Sequence, residues 1–140
     1  MNTAIKKLLD ATSSRLGIAI TRKKPDPLGG LVDLINRLET NLVIDVGANA
    51  GQYALALRSH GYSGRIESFE PVAAPYAAAV EAAATDALWN VHNYALGSTE
   101  GTAQIHVAGN AAASSSLLPM LSRHERSAPL SQYVAEEMIR

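Results

Sequence analysis

The residues whose types and spacing carry the most chemistry lie in Val43-Ile44-Asp45-Val46-Gly47-Ala48-Asn49-Ala50-Gly51-Gln52-Tyr53. Gly47 and Gly51 stand four positions apart, between an apolar β-branched run and a helix-like segment. Glycine permits the tight turn that such a junction needs and lets a ligand approach the backbone. The helix that follows offers free N–H groups and the positive end of its dipole, so a ligand bearing a carboxylate or phosphate suits the place.

Two common nucleotide motifs can be tested against these letters. The dinucleotide fingerprint G-x-G-x-x-G fails, because Asn49 replaces its second glycine and Gln52 its third. A phosphate-cradling G-x-x-x-x-G-K-[ST] loop also fails, since no Lys follows Lys24. What survives is apolar-apolar-Asp-Val-Gly-x-x-x-Gly, followed by an acid at the end of the next apolar run, Glu70 in Ser68-Phe69-Glu70-Pro71. A carboxylate there can accept hydrogen bonds from both ribose hydroxyls of a nucleoside ligand. Each residue taken alone has a plainer role: Asp45 as a cap of the turn after its strand, Glu70 as a solvated loop acid.

The positioning elements follow from hydrophobic period. Leu42 to Val46 is a short β-branched run of the kind expected for a strand buried on both faces, hence a parallel sheet. Gln52 to His60 reads as helix, and Arg65 to Phe69 as a second strand, which completes a βαβ unit. Pro71 and Pro75 open the next segment, where eight of the twelve residues from Ala73 to Ala84 are Ala, a strong helix. Trp89 to Leu96 gives a third strand. Thr102 to Val107 alternates like a fourth and suits antiparallel pairing. Residues 108–131, with Ser114-Ser115-Ser116, carry no steady period and read mostly as loop. Tyr133 to Arg140 fits a helix or the start of a strand.

Ahead of the sheet, residues 1–40 read as a helical segment. Residues 3–16 carry Ile5, Leu8, Leu9, Thr12 and Leu16 at helical spacing. A charged, proline-bearing loop at 21–27 precedes a second helical run over Leu28 to Glu39, with Leu31, Leu34, Ile35 and Leu38 as its apolar stripe. Residues 41–140 then form the α/β part.

The 140-residue chain balances 12 Lys and Arg against 13 Asp and Glu, with a pI near 6.4. That balance provides no basic field for nucleic acid or an anionic membrane, and no window is long and apolar enough to span a bilayer. There is no Cys, which excludes disulfides, thiolate nucleophiles and Cys-ligated metals. His60, His92, His106 and His124 show no metal-ligand spacing and no paired carboxylate, so no metal is expected. Tyr53, Tyr94 and Trp89 read as packing residues. A cytoplasmic location is the default.

The Asp45 to Gly51 loop and Phe69-Glu70-Pro71 together resemble the class I S-adenosylmethionine-dependent methyltransferases. The letters are most similar to the FkbM family of O-methyltransferases, over roughly Leu28 to Arg140, with Asn93-Tyr94-Ala95-Leu96-Gly97 and Ser114-Ser115-Ser116-Leu117 as weaker carriers. The resemblance implies a Rossmann-like, doubly wound, mostly parallel α/β sheet that is incomplete here, a partial S-adenosylmethionine-binding domain over 41–140. It implies that Gly47 and Gly51 border the methionine moiety, Asp45 anchors the loop and contacts the amino end, Glu70 holds the ribose, Asn93 and Ala95 lie near the adenine, and Asn49 belongs to the same cofactor-binding set. The expected reaction is methylation of a hydroxyl on a small molecule or sugar. The family continues through a further strand and an acidic segment, so the chain reads as an N-terminal part, with self-association through an exposed sheet edge. The alternatives are a non-catalytic cofactor-binding or interaction fragment and, less favoured by the failed fingerprint, a nucleotide-sugar or nicotinamide oxidoreductase on the same wound sheet.

Overall fold

The structure, a computed structural model, describes residues 26–140. The helix expected over residues 3–16 lies outside the described residues. The elements run α1 (Pro27–Arg37), β1 (Leu42–Val46), α2 (Gln52–Ser59), β2 (Arg65–Phe69), α3 (Ala73–Ala83), β3 (Trp89–His92), β4 (Ala103–Ala108), α4 (Ser122–Ser127), a 3-10 turn (Pro129–Ser131) and β5 (Tyr133–Ile139). They build a mixed α/β molecule with a three-stranded parallel sheet, β1-β2-β3, and a two-stranded antiparallel sheet, β4-β5.

In the parallel sheet Asp45 lies opposite Ser68, and Ser68 opposite Val91. Side chains alternate across a strand, so Val43, Ile66 and Trp89 share one face with Asp45 and Ser68. That face is covered: Val32 of α1, Ala54 and Leu57 of α2, Tyr62, Ile66 and Trp89 form one buried cluster, with Ala82 and Ala83 of α3 packed against it. The opposite face carries Ile44, 58% exposed, and Val46, 61% exposed. The expectation that β1 is buried on both faces is therefore corrected. A β-branched apolar run reads the same whether one or both of its faces are covered, and among the described residues β1 is also an edge strand. All three described helices of this layer lie on the one face.

The helix over residues 27–37 starts where Asp26 accepts a hydrogen bond from Gly29 N at 2.9 Å, with Pro27 in the first turn. Its rotation differs from the expected stripe. Val32 is fully buried and Leu28 and Ile35 pack on the core, whereas Leu31, Leu34 and Leu38 are exposed. The helix has more apolar surface than its contact with α2 can cover. Because Val32 shares its core with α2 and β2, the described end of the 1–40 segment packs as part of the α/β layer.

The third strand ends at His92 rather than Leu96. Asn93 turns its amide to donate to the carbonyls of Glu70 and Pro71, at 3.0 and 3.1 Å, and that turn stops the ladder. Strands β4 and β5 pair antiparallel from Ala103↔Ile139 to Ala108↔Tyr133, so the final segment is strand. The Ser114 to Ser116 run folds back on β4: Ser116 bridges to His106, and Ser115 Oγ accepts from Ala108 N.

On the bare face, Glu67 accepts hydrogen bonds from Arg65 (2.6 Å) and Asn90 (3.0 Å) and pairs with His92 Nε2 at 2.7 Å. His106 pairs likewise with Glu136, and His60 with Asp26. The expectation of no paired carboxylate thus fails for three histidines, because the partners are distant in sequence. Tyr53 is 41% exposed and is not a packing residue, whereas Trp89 is buried.

Two predictions follow from this packing. A Cβ on Gly51 would sit 2.7 Å from the Trp89 ring, at a φ of +81°. Gly51→Ala is expected to destabilise the fold by more than the ~1–2 kcal/mol of the left-handed conformation alone, read by urea unfolding; a smaller loss would show that the indole gives way freely. Hydrogen bonds from His92 first and Asn90 next hold the Glu67 carboxyl down to about 2. A folded pKa below the unfolded one contributes stability above about pH 4.5 that is lost as the pH falls toward 2. Glu67→Gln should flatten the acid limb of a stability-versus-pH curve over that window, and an unchanged slope would contradict the assignment.

Candidate functional site

The carboxyl ends of β1, β2 and β3 converge on the loop Gly47 to Gly51. Its backbone alternates into the left-handed region, with φ of +77° at Gly47, +48° at Asn49 and +81° at Gly51. Asn is among the few side-chain residues that tolerate this conformation. The amides of Gly47 and Ala48 both donate to the Phe69 carbonyl, at 2.9 and 3.1 Å, which seats the loop on the end of β2.

Glu70 is buried and uses both carboxylate oxygens. Oε2 accepts from Asn49 N at 2.8 Å and Oε1 from Val72 N at 2.9 Å. The carboxylate is therefore not a solvated loop acid. It clamps the glycine loop to the turn that leads into α3, and each oxygen keeps a second lone-pair direction.

Beneath the loop a buried polar chain crosses the sheet. Trp89 Nε1 donates to Ser68 Oγ at 3.0 Å, and Ser68 Oγ donates to Asp45 Oδ2 at 3.1 Å. Burial pushes the Asp45 carboxyl above its usual range, partly opposed by the Ser68 hydrogen bond. Oδ1 of Asp45 has no hydrogen-bond partner among the described residues. A cationic group placed beside that oxygen would bring the pKa back down, so the position favours a positive partner.

The space above the loop is open. A Cβ built on Gly47, at a φ of +77°, meets nothing within 4 Å, so the residue borders open space. The amides of Gln52 and Tyr53, at the start of α2, have no backbone acceptor among the described residues. Gly51, by contrast, is glycine for internal packing against Trp89 and Ala79.

Asp45, Gly47, Asn49, Gly51 and Glu70 are thus brought together around one loop. Asn93 lies beside them, its amide committed to Glu70 O and Pro71 O. Ala95 lies further along, where its N–H donates to Arg140 O at 2.6 Å. Two contributors were not read from the sequence. Ser68 sits in the polar chain, signalled only by a polar residue at an inward strand position. Ala111 accepts from Asn49 Nδ2 at 2.8 Å across 62 residues, which no local pattern announces.

Phe69, His92 and Tyr94 cluster at the ends of β2 and β3, with Phe69 and His92 stacked at 4.8 Å and Tyr94 edge-on to Phe69 at 5.4 Å. The Arg140 guanidinium lies 5.6 Å from the Tyr94 ring centre. Among the described residues no group of three His, Asp or Glu side chains is placed to hold a metal ion, and no helix is long and apolar enough to cross a membrane.

No curated protein and no solved structure matches the chain significantly. The family model for the methyltransferase FkbM domain matches residues 45–139, which takes in the glycine loop, Glu70, the parallel sheet from Asp45 onward and the antiparallel sheet. That match covers more than half of the chain, and the chain belongs to the FkbM methyltransferase domain family.

Proposed function

We propose that this chain forms the S-adenosylmethionine-binding part of an O-methyltransferase acting on a hydroxyl of a small molecule or sugar, on a Rossmann-like, doubly wound scaffold in the cytoplasm. The observation that carries the reading is the glycine loop itself, with open space at Gly47 and two buried carboxylates of different character, Asp45 before it and Glu70 clamped to it. Membership of the family supports methyl transfer in general.

The residues fit the cofactor. Asp45 Oδ1, a carboxylate oxygen without a hydrogen-bond partner among the described residues, suits the α-ammonium of a methionine moiety. Gly47 lets that moiety lie against the backbone, and the free amides at the start of α2 suit its carboxylate. Glu70 has the remaining lone pairs to accept ribose hydroxyls while it keeps the loop in place. When bound, S-adenosylmethionine supplies an electrophilic methyl group on a sulfonium. The chain contributes orientation: a loop locked at three left-handed residues and a carboxylate clamp hold the donor side in one pose. Proximity and alignment of this kind can remove several kcal/mol of barrier, so a dedicated base is not obligatory.

The bare face of the sheet favours a second reading. Ile44 and Val46 are exposed on an edge strand, and no acceptor pocket is assembled against that face by the described residues. On that reading the 140-residue chain binds cofactor without turnover and self-associates through the β1 edge.

Calorimetry tests the cofactor assignment that both readings share. S-adenosylhomocysteine is expected to bind more tightly than NAD, because the loop lacks the second glycine that admits a pyrophosphate. Glu70→Ala should weaken that binding by about 1.5–3 kcal/mol, the scale of a hydrogen bond to a charged group. Gly47→Ala adds a methyl group to the gap at a stability cost of about 1–2 kcal/mol and should reduce affinity while the fold persists by circular dichroism. Tighter binding of NAD, or full affinity in a folded Gly47→Ala protein, would overturn the cofactor assignment. Multiple turnover with labelled cofactor and a hydroxylated acceptor would exclude the non-catalytic reading.

A further inference from the structure

The antiparallel sheet is moored beside the Glu70 clamp. Val72, next to the Glu70 clamp, packs with Ile105 of β4 and Ile139 of β5. Ala73 N donates to Glu137 Oε1 at 2.9 Å, and Ala95 N to Arg140 O. The turn after β4 reaches back over the glycine loop. Among the hydrogen bonds of the described residues, Asn49 Nδ2 to Ala111 O is the one that joins residues 109–115 to the parallel-sheet layer.

That turn is strained and strongly bonded to itself. Ala111 and Ala112 both adopt left-handed backbone, at φ of +56° and +61°, without the side-chain hydrogen bonding that helps Asn or Asp in this region. Asn110 closes the turn by exchanging bonds with Ser114, and Ser115 Oγ donates to Ala112 O. A conformation of this kind persists where its surroundings over-determine it, and such places cluster beside ligand clamps.

Asn49 is equally over-committed. Its N–H donates to Glu70 Oε2, its Oδ1 accepts from Ala50 N and Gln52 Nε2, and its Nδ2 donates to Ala111 O. Its carboxamide therefore faces the second sheet as a structural link. Resting on the cofactor reading above, we propose that Asn49 is a positioning residue that latches the 109–115 turn as a wall of the cofactor crevice, so that occupancy at Glu70 is felt at Ala111. A ribose hydroxyl that takes the second lone pair of Glu70 Oε2 leaves the bond from Asn49 N in place and restrains that carboxylate further, and the rigid carboxamide of Asn49 carries the restraint to the Ala111 carbonyl.

Hydrogen exchange on the full chain tests this, with S-adenosylhomocysteine as probe. Ligand should slow exchange across residues 109–115 in the unsubstituted protein. Asn49→Gly tolerates the positive φ and removes the latch; Asn49→Asp keeps the shape but cannot donate to Ala111 O. Both should bind roughly fivefold to tenfold more weakly, the scale of one neutral hydrogen bond, and should lose the ligand-linked slowing at 109–115. Ala111→Gly retains the carbonyl, so it should keep the slowing and raise the thermal midpoint by relieving strain. Binding without any change at 109–115, or full slowing in both Asn49 variants, would overturn the latch. If the probe does not bind at all, the cofactor reading fails separately. The latch is then judged in the free protein, where Asn49→Gly should speed exchange at 109–115, and an unchanged rate would overturn it.

Discussion

The Glu70 carboxylate is the interaction on which the rest of the site depends. A buried ionisable group is tolerated when hydrogen bonds replace its lost water, and here two backbone amides do so, one from the glycine loop and one from the turn into α3. Those amides belong to Asn49 and Val72, so one side chain fixes both the conformation of the loop and the start of α3. Val72 in turn is the anchor of the second core, with Ile105 and Ile139. A single carboxylate thus sits where the two sheets and the loop between them are tied together.

Below it, the chain from Trp89 through Ser68 to Asp45 solves a different problem. A polar strand residue inside an apolar layer needs a partner, and each member supplies the next one's. The same indole fills the space that a side chain at residue 51 would need. Trp89 therefore supports the loop twice, by the hydrogen bond from its nitrogen and by its ring edge. Arg58 does similar work at the opposite end of α2: it pairs with Asp86 at 2.7 Å and caps the carbonyls of Tyr62 and Gly64, joining α2 to the approaches of β2 and β3.

Elements whose determinants are local were readable in the chain itself. Leu42–Val46 and Arg65–Phe69 have the expected bounds, and the alanine-rich helix ends within a residue of its expected limit, because short β-branched runs and alanine segments carry their preference within themselves. The loop with Asp45, Gly47 and Gly51 was equally visible, since its glycines answer to backbone geometry. Features set by distant partners were not. The pairing of β4 with β5, the end of β3 at Asn93 and the carboxylate partners of His92 and His106 all depend on residues far apart in sequence. The rotation of α1 escaped for another reason: its apolar residues are spread so widely that periodicity cannot say which of them faces the core.

The bare face of the parallel sheet has a topological meaning. From β1 to β2 to β3 the chain steps in one direction, and with right-handed crossovers both connecting helices must fall on the same side. A helix can reach the other side by this route only if the chain reverses and adds a strand against the free edge of β1. In wound sheets the reversal is where adjacent loops diverge to opposite faces and leave a cleft between them. On the proposed doubly wound scaffold, the β1 edge that no described strand pairs with and the open space at Gly47 would lie at one switch point, and a strand added at that edge would put its own loop directly across from the glycine turn.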